Sequence, residues 1–95
     1  MIEIMRFQLT AGSSLEAFTA ADRHLQSAFA YHQPGLLRRT TAVGADGHWI
    51  VIDLWRSETE ADAASERFDH DPVAAAFMSF VDRTTLHIDR YATLD

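Results

Sequence analysis

Residues 48–56 read His-Trp-Ile-Val-Ile-Asp-Leu-Trp-Arg, a strictly alternating stretch in which both faces are apolar. Trp49, Val51, Asp53 and Trp55 fall on one side, and Ile50, Ile52 and Leu54 on the other. An antiparallel strand with one face in water shows a polar side, and this one does not. The sheet that contains it must therefore be covered on both faces. One of those faces carries a carboxylate between two tryptophans, at a mid-strand position that aspartate disfavours.

The remaining chain arranges itself around that strand. Ile2–Thr10 alternates and predicts a first strand. Ser13 to Glu16 reads as a capping box that opens a helix with Leu15, Phe18, Leu25 and Phe29 on its inner stripe. That helix should end near Gln33, because the residue before Pro34 is pushed out of the α region. Leu36–Val43 predicts a second strand, and Asp46-Gly47 a hairpin turn into the third, His48–Arg56. Ser57 to Glu60 is a second capping box, with Ala61, Ala64 and Phe68 facing inward. Asp71-Pro72 places an N-cap before a first-turn proline, starting a short helix through Phe77 and Phe80. Thr84–Thr93 alternates as a fourth strand.

The order β-α-β-β-α-α-β within 95 residues predicts one α+β domain spanning residues 1–95. Its simplest form is a ferredoxin-like, four-stranded antiparallel sheet with helices on one face. Crossover handedness puts both helical segments on the same side, leaving the other face of the sheet bare. A bare apolar face marks an interface, so a two-fold homodimer with sheets packed face to face is expected, a dimeric α/β barrel. Strand two or strand four should form the exposed edge.

Composition excludes other classes. The chain has no cysteine, no lysine and a net charge of −6, so thiolate chemistry is excluded and a nucleic-acid partner is not expected. No apolar run approaches the ~20 residues of a membrane span, and the N-terminal residues lack the pattern of a signal peptide; a cytoplasmic location is expected. His24 and His32 are too poorly aligned to chelate, so no metal is expected.

Several of these segments resemble a known family. Pro34-Gly35-Leu36-Leu37, the Asp46-Gly47 turn, Trp55-Arg56-Ser57-Glu58 and the Pro72–Phe80 helix are similar to the antibiotic-biosynthesis-monooxygenase-like family of dimeric α/β barrels. The resemblance implies a homodimer with a cavity in each half-barrel. It also implies cofactor-independent monooxygenation of an aromatic or polyketide-like small molecule. In that family's oxygenases a tryptophan at the end of strand three lies in the substrate cavity, and Trp55 matches it. Val51 and Ala61 stand where those enzymes carry an asparagine and a tyrosine. Strand one lacks the asparagine of the haem-degrading branch, and the nearest histidine to its helix-two ligand is His70.

The residues themselves offer candidates. Asp53, enclosed and with a raised pKa, would serve as general base; alternatively it pairs with Arg6, Arg38 or Arg39 as a structural bridge. His87, on one strand face with Asp89 and Tyr91, would shuttle protons or sit at an exposed edge. Trp49 and Trp55 would wall a planar ligand or anchor the dimer. Arg38, or Gln8 beside Arg6, would donate to an oxyanion. The expected site is thus Asp53 and His87 as catalytic groups, with Trp55, Trp49, Arg38, Gln8 and Tyr91 binding substrate without metal or cofactor. The alternatives are a non-catalytic ligand-binding or stress-associated dimer, and a cyclase or isomerase using the same pocket.

Overall fold

The computed structural model describes residues 1–94. The elements are β1 (Ile2–Leu9), α1 (Leu15–Ala28), β2 (Leu36–Val43), β3 (Trp49–Trp55), α2 (Glu58–Phe68), α3 (Pro72–Met78) and β4 (Val81–Tyr91), with a single 3₁₀ turn at Ala30–His32. The four strands form one antiparallel sheet in the order β2-β3-β1-β4. This is the ferredoxin-like arrangement, with both β2 and β4 at edges.

Local chemistry sets the element ends. Ser14, rather than Ser13, caps α1 and accepts from the Ala17 amide at 3.1 Å. Ser13 is held in the preceding turn, where its amide donates to the Thr10 carbonyl. With the start moved by one residue, Leu15 turns outward and is exposed. The helix stops at Ala28 because Phe29 leaves helical geometry, and Gln33 Nε2 donates to the Phe29 carbonyl. Gln33 is extended, as the residue before proline should be. Ser57 caps α2 and donates to Glu60, and Asp71 caps α3 by accepting from the Val73 and Ala74 amides. β4 begins three residues earlier than its alternation suggests, since Val81 and Asp82 pair with Leu9 and Gln8 beyond an irregularity in β1. It ends at Tyr91, two residues before the expected end.

Gly35 opens the Pro-Gly turn at φ +85°, where a side chain is strained. A Cβ there would also lie 2.5 Å from the Glu60 side chain. The turn thus brings β2 against the start of α2.

The core lies between the sheet and its helices. Phe7, Phe18 and Phe77 are its largest fully buried side chains, and their rings meet at 5.5–6.0 Å. Trp49 packs edge-on to Phe18 at 4.8 Å. The register settles the two faces of β3. Trp49, Val51, Asp53 and Trp55 turn toward the chain's own helices together with Met5, Phe7 and Arg39. The bare face carries Ile2, Ile4, Ile50, Ile52 and Leu54, all half-buried, in a strip along the two central strands. Arg6, Arg38, His87 and Asp89 rim that strip, and all four are exposed. Among the described residues, no helix is long and apolar enough to cross a membrane.

Candidate functional site

A cavity of about 110 Å³ opens between the C-terminal half of β3 and the helices. Its walls are apolar, from Met5, Leu25, Phe29, Val51, Phe68 and Phe77, and its polar lining comes from Glu3, Gln33, Arg39, Asp53, Trp55 and Ser65. Ile88 also lines it and is 56% exposed, which marks where the cavity meets the surface. An engineered closed cavity of about 150 Å³ accepts benzene; this one is smaller but open at Ile88, so a short acyl group fits within it and a single small ring enters with one edge toward the surface.

Asp53 reaches the cavity from mid-β3 because alternation places it between Val51 and Trp55. Its Oδ1 is buried and, among the described residues, has no hydrogen-bond partner. Burial pushes its pKa up to about 6. Arg39 opposes that rise, and the carboxylates of Glu3 and Asp22 reinforce it. Among the described residues, no arginine bridges it. Arg6 pairs with Asp89 on the bare face at 2.9 Å, Arg38 points to that same face, and Arg39 is bound elsewhere.

Arg39 lies directly across the β2–β3 ladder from Asp53 and is 6% exposed. Its Nη2 donates to Asp22 Oδ1 at 2.8 Å, and its Nη1 to Gln26 Oε1 at 3.3 Å. Thr41 donates to the same Asp22 oxygen, and the guanidinium sits 5.7 Å from the Phe77 ring centroid. The Tyr31 hydroxyl accepts from the Arg39 amide and donates to its carbonyl. The cation is therefore fixed in place and leaves Asp53 ionisable but unbridged.

Trp55 is 6% exposed, and its Nε1–H, like Asp53 Oδ1, has no partner among the described residues. Buried polar atoms are nearly always satisfied. One unfilled acceptor and one unfilled donor thus lie two residues apart on the same face of β3, each with almost no accessible surface of its own. Arg90 holds the lining residue Glu3 and ties β4 to α2: its Nε donates to Glu3 at 2.8 Å, and its Nη1 reaches Asp62 at 2.5 Å.

The structure divides the sequence-derived site. Asp53 and Trp55 share the cavity. Trp49 is on the same sheet face but packs into the aromatic core and does not line it. His87, Tyr91, Arg38 and Gln8 all lie on the bare face, with the sheet between them and Asp53. Gln8 there meets His48 at 3.0 Å. A cavity lined by both Asp53 and His87 is thus not formed, because their positions on β3 and β4 have opposite parity in the sheet. Glu3 and the Asp22–Gln26 pair are residues that sequence reasoning missed, and Arg39 enters it only as a bridge partner for Asp53. Val51 and Ala61, where the family resemblance implied polar groups, both line the cavity as apolar residues.

No family model and no curated protein matches this chain. Solved structures do. A point mutant of SnoaB from Streptomyces nogalater, a cofactor-independent oxygenase, superposes with a TM-score of 0.78 at 19% identity, covering 99% of this chain and 92% of that one. A protein from Nitrosomonas europaea, provisionally named an antibiotic biosynthesis monooxygenase, gives 0.75 at 16% identity, over 99% and 98%. A dimeric ferredoxin-like protein of unknown function from Jannaschia sp. gives 0.72 at 8% identity, over 97% of each chain. Along nearly its whole length, the chain has the ferredoxin-like fold that these oxygenase-type and dimeric proteins share.

Proposed function

We propose that the chain is a cofactor-independent monooxygenase acting on a small aromatic molecule, or on the terminal ring of a polyketide-like one, in the Asp53 cavity. The observation that carries this reading is the unbridged Asp53 carboxylate in an apolar enclosure. Its pKa near 6 suits a base working at neutral pH. Asp53 takes a proton from an activated C–H, and Arg39 across the ladder stabilises the negative charge that develops. The carbanion forms a C–O bond to dioxygen, giving a peroxide anion that recovers the proton from Asp53. Loss of the second hydrogen with O–O cleavage leaves a carbonyl and one water. The fold shared with SnoaB supports the reaction type.

An oxygen electrode with single-ring activated methylene and phenolic substrates tests it. Stoichiometric uptake that is lost in Asp53→Ala is the expected result. Conversion without uptake would make the protein an isomerase or cyclase using the same base, and no conversion across the panel would leave it a ligand-binding protein.

The bare face completes the assembly in this reading. The strip of Ile2, Ile4, Ile50, Ile52 and Leu54, ringed by charge, is covered by the same face of a second copy. Sedimentation equilibrium is expected to give about twice the 10.7 kDa chain mass. A monomer at micromolar concentration contradicts the pairing.

A further inference from the structure

The exposure of the lining residues locates the way into the cavity. Nearly all of them are buried or half-buried; among the described residues, the exposed ones are Ser65 and Ile88. Ser65 is on α2 and Ile88 on β4, so the opening lies between that helix and that strand. β4 is an edge of the sheet. Ile88 sits across the ladder from Met5, which puts it on the helix side and not on the bare face. Two positions along the same side of β4, Arg90 donates to Asp62, which precedes Ser65 on α2 by about one turn. That ion pair ties the same two elements together beside the opening. Elsewhere on β4, Val81 is buried and Leu86 packs against the core. Ile88 is left at the mouth with its apolar side chain uncovered.

We propose that ligands enter between α2 and β4, and that Ile88 is the residue that determines how large a ligand is accepted, by carrying the part the cavity does not hold. About 110 Å³ takes one small ring at most. The second ring of a fused bicyclic molecule then lies outside, against the exposed side of Ile88, where burial of apolar surface on both partners favours it. Ile88 thus acts on ligand size and takes no part in proton transfer. Because it faces away from the bare face, pairing of two copies through that face leaves the mouth open. The inference rests on the reading of the cavity as the binding site, but it does not depend on turnover.

The test uses phenol and 1-naphthol as probes, with affinity read by calorimetry. Ile88→Ala should weaken 1-naphthol about fivefold, as the loss of apolar contact with three carbons implies, and phenol by less. The chain has no cysteine, so Ile88→Cys places a single thiol at the mouth. Capping that thiol as a mixed disulfide with benzyl methanethiosulfonate should abolish binding of both probes, and dithiothreitol should restore it. Val43→Cys is the control, since Val43 is exposed on the opposite edge strand and does not line the cavity; the same cap there should leave both affinities unchanged. Equal losses for the two probes in Ile88→Ala, binding that survives the cap at position 88, or no binding of either probe to the parent at millimolar concentration would each overturn the inference. The expected binding pattern without oxygen uptake on any substrate would refute the proposed reaction and leave this inference standing. Oxygen uptake that persists with position 88 capped would do the reverse.

Discussion

Asp53→Asn should make the protein more stable at neutral pH and catalytically inert. In the fold Asp53 keeps its proton up to about pH 6, whereas an exposed aspartate releases it near 3.8. Between those values the folded state binds more protons than the unfolded one, so stability falls as pH rises through the window and levels off above it. A difference of this size corresponds to roughly 3 kcal/mol, and residual solvent contact reduces the expected gain on substitution to about 2 kcal/mol. The variant and the parent should therefore have equal stability at pH 3, diverge between about 4 and 6, and differ by that amount at pH 7.5. Urea unfolding at a series of pH values measures the divergence. Turnover should fall by about 10²–10⁴-fold, the usual contribution of a positioned base. A variant less stable than the parent at neutral pH would mean that Asp53 is held by a favourable charge partner.

Arg39→Met should have the opposite effect on stability. The guanidinium is buried and holds Asp22 and Gln26 of α1 against β2. Its removal strands Asp22 with Thr41 as its remaining side-chain donor. Breaking a buried pair from one side costs about 3–5 kcal/mol, a large share of the ~5–15 kcal/mol that holds a small domain together. The substitution also removes the one influence that lowers the Asp53 pKa, so the carboxyl should titrate above 6. Urea unfolding reads the first effect, and the midpoint of the pH–rate profile reads the second. Replacing Asp22 as well, in Arg39→Met/Asp22→Leu, should recover much of the loss, because no unpaired charge remains. An unchanged midpoint in Arg39→Met would show that the guanidinium does not act on the site.

The strand pattern made the fold legible, but the faces of the sheet were not. Alternation in β3 identified the strand and isolated Asp53, and turn and cap residues placed the helices within a few positions. Because Ile50, Ile52 and Leu54 are as apolar as Trp49, Val51 and Trp55, hydrophobicity alone does not say which side meets the helices. Carrying parity to the neighbours is then unreliable. Leu37 is an irregular position in β2, so Arg39 and not Arg38 faces the cavity. His87 pairs with Arg6, which fixes it on the bare face. One signal was present in the sequence. Asp22 sits four residues after Phe18 and three before Leu25, on the inner stripe of α1. A carboxylate there requires a buried cation opposite it, and Arg39 supplies one. The empty hydrogen-bonding positions of Asp53 and Trp55 are tertiary facts that no local pattern encodes.

The proposed reaction requires Asp53 to be an unbridged, enclosed carboxylate that titrates close to neutral pH. A ¹³C NMR titration of the Asp53 carboxyl, assigned through Asp53→Asn, tests it most directly. A midpoint near pH 6 is the predicted result. A midpoint below 4 would place the carboxylate in water or in an ion pair and contradict the account.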